Sequence, residues 1–485
     1  MSHRNRVIPR FALAAALALP LAAQQAQQPT SLSGVVRLNK APASKEILQV
    51  KFPRPAETTL KNGLRLLVLE DHRAPTFTLS LEFWASSLKE PPDLPGLASV
   101  TASVLRLGTK TLDSRQLAER LAELGGSLFT GAGFSSRSTS LGLSGLTDNM
   151  DALLELFADV LLNPSFPQNE LDNFRQRQLS ALQMARTQPA FLANERMALL
   201  LYPDDARKLT VPTAETLKKL TRQHLIDFYN TYYKPAGGLI GVAGDVTNKE
   251  IGAKLEKLLG GWKGDPVEPP KLPLQAPIQE KKVVLIHRPN SVQTYLMVGN
   301  RAIGRTDPDY ITCMLLNQVL GAGPSSRLFR SVREEKGYTY GISSAFSATK
   351  YLNHFSAGTS VRTEVTGAAL EEILKEFRDL RDRLVPADEL DGAKRAVVGS
   401  FALSLESPSS MLSRAMTLKE YGLPADYWDK YPLAITATTA EQARAVARKY
   451  VPVDDIQIVA VGDATKIRDQ LKSFGPVEEF SADAK

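Results

Sequence analysis

The chain has 485 residues, of which 43% are hydrophobic and 23% charged, a composition typical of a globular protein with more than one domain. Its formal net charge of +7 comes without a basic stripe interleaved with aromatic residues, which argues against nucleic-acid binding. The single cysteine, Cys313, excludes an internal disulfide framework and a cysteine-based metal cluster. Because Cys313 lies in the apolar run 310–316, we expect a buried structural thiol.

The N-terminus is typical of an export signal. Arg4, Arg6 and Arg10 precede a short apolar core at 11–19, and Leu-Ala-Ala at 21–23 resembles a cleavage site. The core is too short to span a bilayer, so residues 1–23 are predicted to be a cleaved signal peptide. Residues 24–46, rich in Gln, Pro, Ser and Ala, are predicted to be a flexible leader. We therefore expect a periplasmic or secreted protein with no membrane span.

The rest of the chain contains two diverged copies of one domain. Four motifs recur in the same order at a nearly constant offset: 69–73 with 285–288, 170–172 with 389–391, 233–235 with 450–452, and 242–246 with 460–464. So long a period indicates duplicated domains, not a solenoid. We predict domains at 47–262 and 281–480, joined by a proline-rich, semi-rigid linker at 263–280.

Each copy combines strands with amphipathic helices. In the first copy the patterns predict strands at 64–69, 77–83 and 139–146, and helices at 97–107, 114–124, 150–161 and 169–184. Early strands followed by a run of helices favour an α+β fold. We expect each homologous domain to be a largely antiparallel sheet with helices packed on one face.

The most informative stretch follows the glycine-rich turn at 321–325. A helix capped by Ser325 or Ser326 is predicted to end at Gly337, and a strand is predicted at 338–342. A sharp turn between them would bring Arg333 and Tyr340 together. Both side chains donate hydrogen bonds and suit a substrate carbonyl that gains negative charge. The residue types alone favour a solvated arginine and a packing tyrosine, because short motifs match by accident.

The wider pattern around that pair resembles a known family. Pro-Ser-Ser-Arg-Leu-Phe and Val-Arg-Glu-Glu-Lys-Gly-Tyr-Thr-Tyr, within 324–340, are similar to the second-domain signature of pitrilysin/insulinase-type metallopeptidases, the inverzincins. The resemblance implies the fold of mitochondrial processing peptidase and LuxS-like metallohydrolases. It also implies that Arg333 and Tyr340 grip the substrate opposite a zinc ion.

The zinc-binding helix of that family is present here only as a frame. The run 96–109 matches Gly-Leu-Ala-His-x-x-Glu-His-x-Leu-x-x-Gly-Thr, but Ser99 and Ser103 replace the histidines and Ala102 replaces the glutamate. Histidines one helical turn apart can share a zinc ion, and the glutamate between them can act as a base. Serine is a poor zinc ligand and alanine is no base.

Two further departures concern the third ligand and the substrate edge. Where the resemblance implies glutamates on a later helix, the sequence has Phe174 and Ala181. Phe129 replaces an asparagine in the edge strand that pairs with substrate in active members, so we expect no substrate pairing there. The resemblance thus predicts no metal in this chain and zinc in a partner subunit.

The remaining histidines do not rebuild a metal site. His3 lies in the predicted signal peptide, and His72 and His287 are repeat equivalents at strand ends, expected to be structural. His224 lies near Asp227, which favours a surface pair. The chain also contains His354, and no two histidines have ligand spacing.

Three interpretations follow. The first is the non-catalytic, substrate-gripping subunit of a two-chain zinc metallopeptidase, acting on peptides beside a homologous His-x-x-Glu-His subunit. The second is a non-enzymatic scaffold or peptide-binding protein of the same fold. The third, an independently active peptidase, requires a zinc site that the sequence does not offer.

Overall fold

The computed structural model describes residues 50–133 and 138–482. The predicted signal peptide (1–23), the leader (24–46) and residues 47–49 lie outside the described residues. Within those two ranges, no helix is both long enough and apolar enough to cross a bilayer.

The strands and helices of the first half include all seven that the patterns predict, with bounds shifted by a few residues. In chain order these are β1 (Ala56–Thr59), β2 (Arg65–Glu70), β3 (Thr76–Phe83), α1 (Leu97–Leu105), α2 (Ser114–Glu123), β4 (Ser127–Ala132), β5 (Thr139–Leu146), α3 (Met150–Leu162), α4 (Gln168–Arg186), α5 (Pro189–Leu201), α6 (Ala214–Lys219), α7 (Arg222–Tyr232), β6 (Leu239–Gly244) and α8 (Asn248–Leu259).

The second half repeats this plan. Its elements are β7 (Lys282–His287), β8 (Gln293–Arg301), α9 (Tyr310–Leu320), a π-helix (Phe329–Glu335), β9 (Thr339–Ala348), β10 (Asn353–Arg362), α10 (Thr366–Asp382), α11 (Ala387–Ser404), α12 (Pro408–Tyr421), α13 (Tyr427–Ala437), α14 (Ala440–Tyr450), β11 (Gln457–Gly462), α15 (Ala464–Leu471) and β12 (Val477–Ser481). Short 3-10 turns lie at Ser87–Lys89, Thr147–Asn149, Ala206–Lys208, Thr363–Val365 and Lys472–Phe474.

The described strands form two sheets of six, β1-β2-β6-β3-β5-β4 and β12-β7-β11-β8-β10-β9, whose strand orders correspond at every position except the edge strands β1 and β12. In both sheets the strand that returns late in the half, β6 or β11, enters the middle beside the first long strand and parallel to it. The remaining pairs are antiparallel, except that the edge strand β12 lies parallel to β7. The matching orders confirm the duplication and the α+β class.

Each sheet packs one face against the helices of its own half. This builds two separate cores, one containing Leu79, Leu141 and Phe157, the other containing Leu296, Phe355 and Phe377. The prediction of helices on one face is thereby confirmed for each half. However, β6 and β11 are buried along their whole length, so their second face is covered as well.

The second faces are covered by a reciprocal exchange of helices. From the first half, α5 packs Leu192 and Met197 against the second sheet, and from the second half, α12 packs Leu412 and Met416 against the first. Each exchanged helix begins at a proline, a residue that suits the first helical position. Gly241 allows the close approach of α12, because a Cβ there would lie 2.5 Å from a Leu412 methyl carbon.

The segment between α8 and β7 contains no helix or strand among the described residues. It is nevertheless held along its length. Asn300 exchanges hydrogen bonds with the backbone of Ile278, and Tyr351 donates its hydroxyl to the carbonyl of Pro270 at 2.9 Å. The fully buried Arg207 donates to the carbonyls of Pro273 and Tyr351 and pairs with Asp205. These contacts join the segment to both halves.

Candidate functional site

The residues predicted to carry function lie at one end of the second sheet, where a π-helix turns into the edge strand β9. The helix has π rather than α spacing, since the Lys336 N–H donates to the Ser331 carbonyl at 3.1 Å. The predicted serine cap is wrong, because the Ser326 hydroxyl donates back to the Gly323 carbonyl at 2.6 Å. Gly337 ends the turn with φ +61°, the left-handed conformation that glycine was predicted to supply.

A β-bulge presents Tyr340. In the ladder between β9 and β10, Ile342 faces Thr359 and Thr339 faces Val361, which leaves Tyr340 and Gly341 opposite a single residue. Hydroxyl groups fix the bulge: Thr339 accepts the Gly341 N–H at 3.1 Å, and Thr359 donates to the Gly341 carbonyl at 2.9 Å. The bulge leaves the Tyr340 side chain 91% exposed.

The fold brings Arg333 and Tyr340 together. The guanidinium carbon of Arg333 lies 5.3 Å from the centre of the Tyr340 ring and 4.4 Å from that of the Phe329 ring. Both distances are within the range of cation–π attraction, so the two rings hold the cation beside the bulge. The sequence pattern gave no signal of the contact between Arg333 and Phe329.

The donors of the pair remain available. Among the described residues, the Arg333 guanidinium has no carboxylate within 4.0 Å and no hydrogen-bond acceptor, and the Tyr340 hydroxyl has no partner. By contrast, the guanidinium of the nearby Arg327 forms a bidentate ion pair with the Glu389 carboxylate, at 2.6 and 2.9 Å. A planar cation and a phenol with free donors are suited to bind the oxygen of a peptide carbonyl or a carboxylate.

The helix that matches the zinc-binding frame is α1. It begins after Gly96, whose φ of +102° and close approach to Pro212 exclude a side chain: a Cβ would lie 2.7 Å from the proline ring. Ser103 donates its hydroxyl to the carbonyl of Ser99 at 2.8 Å, a bond within the helix itself. Ala102 is buried, and its carbonyl accepts the hydroxyl of Thr130 from β4 at 2.6 Å.

These residues do not fit a zinc ion. Zinc in proteins is bound by imidazole, thiolate or carboxylate groups, and α1 offers two serine hydroxyls, one of which is already bonded to the helix backbone. On α4, Ala181 is exposed and Phe174 packs against the first core. Within 50–133 and 138–482, no group of three or more His, Cys, Asp or Glu side chains is placed to hold a metal.

One residue near this helix escaped the sequence analysis. The carboxylate of Glu90 accepts the backbone N–H groups of Gly96 and Ala98 at 2.7 and 2.6 Å, and so caps the start of α1. Burial raises the pKa of Glu90 to about 7, although these two donors favour the ionised form. Glu90 lies outside the usual capping spacing, so no short motif pointed to it.

The edge strand of the first sheet is β4, as expected. Phe129 on this strand is 55% exposed, and its ring lies over Gly142 of β5, where a Cβ would be 2.6 Å from the ring. The ring lines a groove of about 340 Å³ between the sheet and α12. The bulky ring thus occupies part of the surface beside the edge.

The histidines of the described ranges have hydrogen-bonding partners, while His3 lies outside those ranges. Through its Nδ1 atom, His287 accepts the Ala464 N–H at 3.1 Å, and His72 pairs with Asp245 at 2.7 Å. The prediction of a surface pair between His224 and Asp227 is wrong. The ring of His224 instead accepts the Thr221 N–H in a capping box at the start of α7, while Asp227 accepts from Gln223.

Fold and site together define a two-domain protein with a peptidase-like fold. Two family models match the chain: "Insulinase (Peptidase family M16)" over residues 65–204 and "Peptidase M16 inactive domain" over residues 219–397. The chain belongs to this family, the M16 or insulinase-type peptidases, which confirms the resemblance found in the sequence.

Relatives and solved structures agree with this assignment. The chain is 24% identical over 361 residues to the "Uncharacterized zinc protease YmxG" of Bacillus subtilis, covering 73% of this chain and 86% of the relative. It is 24% identical over 433 residues to a probable mitochondrial-processing peptidase subunit beta of Arabidopsis thaliana, covering 87% and 80%. A crystal structure of a peptidase M16 inactive domain from Pseudomonas fluorescens superposes with a TM-score of 0.79 at 27% identity, covering 84% of this chain and 98% of that one.

Proposed function

We propose that this chain is the non-catalytic, substrate-gripping subunit of a two-chain zinc metallopeptidase that degrades or processes peptides. The observation that carries the proposal is a contrast within one molecule. Ser99 and Ser103 occupy the family's metal-binding positions and Ala102 its general-base position, without the chemistry. In contrast, Arg333 and Tyr340 are held together, and their donors have no acceptor among the described residues. Such a pair would have no evident use in a purely structural subunit.

The proposed division of labour follows from the chemistry. A homologous partner subunit with His-x-x-Glu-His would bind the zinc ion and supply the attacking nucleophile. As the nucleophile adds to the peptide bond, negative charge develops on the carbonyl oxygen. Donors placed near that oxygen bind it more strongly as its charge grows, which is the requirement for lowering the barrier. Arg333 and Tyr340 would be these donors, contributed across the subunit interface.

Substrates and location are part of the proposal. The pair is suited to backbone carbonyls and not to a particular side chain, which favours short peptides or unfolded segments. The predicted signal peptide places the complex in the periplasm or outside the cell. The alternative is a scaffold or peptide-binding protein of the same fold. It is supported by the same absence of zinc-binding side chains at the family's ligand positions on α1 and α4.

Coexpression with a homologous His-x-x-Glu-His subunit encoded nearby tests the proposal. We expect the two chains to co-purify and to hydrolyse unfolded peptides, while either chain alone has no activity. A chelator should abolish turnover of the pair without separating the subunits. A partner that is fully active by itself, or a pair that forms and binds peptides without cleaving them, would favour the scaffold or peptide-binding alternative.

A further inference from the structure

A second pocket lies away from the Arg333–Tyr340 pair, and we infer that it binds a small apolar molecule carrying a carboxylate. The pocket has a volume of about 170 Å³ and lies between α4, α5 and the segment 208–214, with the end of β7 at its base. This inference is independent of the proposed function, because it needs neither a partner subunit nor turnover.

The walls of the pocket are largely apolar. Leu182 comes from α4, Leu192 and Leu199 come from the exchanged helix α5, and Val211 and Ile286 add further apolar surface. An apolar cavity of about 150 Å³ is large enough to hold benzene. The apolar part of the ligand should therefore be about the size of one ring or a short aliphatic chain.

The charges at the pocket define the polar part of the ligand. Of the charged lining residues, Arg186, Arg196 and Lys208 are basic and only Glu195 is acidic. Glu195 is already engaged, since both of its oxygens accept from the Arg186 guanidinium at 2.9 and 3.0 Å. The pocket thus has an excess of positive charge beside its apolar walls.

Arg196 is a cation of the pocket lining that has no ion-pair partner within the part of the chain that the structure describes. Its guanidinium carbon lies 3.8 Å from the centre of the Phe480 ring, and among the described residues it has neither a hydrogen-bond acceptor nor a carboxylate within 4.0 Å. Burial lowers its pKa, although Glu195 and Glu478 oppose this effect at longer range. A partly desolvated guanidinium without a counterion gains most from a planar anion that accepts two of its N–H groups, and a carboxylate has that geometry.

Calorimetric titration of the purified chain tests the inference with matched ligands. We expect 3-phenylpropionate to bind at millimolar concentration or better, and its neutral analogue 3-phenylpropanamide to bind about tenfold more weakly or not at all, because the amide lacks the charge. N-acetyl-leucine and hexanoate, tested in the same way, distinguish a peptide C-terminus from a fatty acid as the natural source.

Two variants locate the binding. Arg196→Gln should weaken carboxylate binding by about tenfold or more, whereas Arg395→Gln, at an exposed arginine of α11, should leave it unchanged. Val211→Phe should fill the pocket and abolish binding of both the acid and the amide. Absence of binding, equal affinity for acid and amide, or full affinity in Arg196→Gln and Val211→Phe would overturn the inference.

Discussion

Arg333 and Tyr340 come from different elements, yet the guanidinium carbon of one lies 5.3 Å from the ring centre of the other. The contact depends on a turn ended by Gly337 and on a bulge that opposes Tyr340 and Gly341 to a single residue of β10. Both features are local departures from regular structure, which are frequent near functional sites. The relationship between these two side chains carries the functional account.

The first prediction concerns metal binding. The purified chain should contain no stoichiometric zinc, because serine and alanine occupy the positions where α1 and α4 would supply ligands. The combined substitutions Ser99→His, Ala102→Glu, Ser103→His and Ala181→Glu should introduce zinc binding, since the surrounding frame is retained. Metal analysis after dialysis measures both. One zinc per wild-type chain, or a folded quadruple variant without zinc, would contradict the prediction.

The second prediction concerns the exchanged helices. Leu412 on α12 is 2% exposed and packs on the first sheet, so Leu412→Ala should lower the free energy of unfolding by about 2–5 kcal/mol. Leu403, on the preceding helix, is 67% exposed, and Leu403→Ala should change it by no more than about 0.5 kcal/mol. Denaturant unfolding measures both variants. Equal effects of the two would mean that α12 does not cover the first sheet.

The third prediction concerns pH and Glu90. Burial raises its pKa to about 7 from the ordinary 4.5, so the folded chain holds this proton more tightly than the unfolded chain. Its contribution to stability is therefore greatest at low pH and is lost as pH rises from about 4.5 to 7, by up to about 3 kcal/mol. Glu90→Gln should remove this loss.

Because His354 also titrates in this pH range, the effect of Glu90 must be measured as the difference in stability between wild type and Glu90→Gln. Burial lowers the pKa of His354 to about 4, so the stability it contributes is present above about 6.5 and is lost as pH falls toward 4, the opposite slope in nearly the same range. The test is thus the stability of wild type minus that of Glu90→Gln, measured between pH 5 and 7.5. It should fall with rising pH, whereas Glu155→Gln, at an exposed position of α3, should give a flat difference. A flat curve for Glu90→Gln would refute the buried-acid assignment.

Much of the fold could be predicted because several independent sequence signals agreed with one another. The repeated motifs indicated duplicated domains, and Gly337 was correctly placed at the end of a helix. The helices α5 and α12 were not among the predicted elements, and a pattern within a helix does not say which sheet covers it, so the exchange was missed. The π-helix was missed because its hydrogen bonds differ from those of an α-helix by a single residue.

The parts of the site that were missed depend on contacts between residues distant in sequence, or on local hydrogen bonds that compete with the predicted contacts. Glu90 reaches α1 across a loop, and the ring of Phe329 meets Arg333 only because the π-helix places it there. Ser326 and His224 were assigned ordinary roles, yet each bonds to a nearer backbone group instead. Local hydrogen bonds of this kind compete with the longer contacts that a sequence pattern suggests.

The account rests on the claim that Arg333 and Tyr340 bind the substrate in trans. The most direct test is peptide turnover by the complex of this chain with a His-x-x-Glu-His subunit. Arg333→Ala and Tyr340→Phe should each lower turnover by about a hundredfold or more. Arg333→Lys should also fail, because an ammonium lacks the planar fork.

Matched controls lie close to the pair in the chain. Arg330→Ala, on the same π-helix, and Tyr338→Phe, two residues before Tyr340, should leave turnover nearly unchanged. Gel filtration should show normal assembly for every variant. Turnover lost at Arg333 and Tyr340 but retained in both controls is the predicted result. Undiminished turnover in Arg333→Ala and Tyr340→Phe would contradict the substrate-gripping role and favour a scaffold.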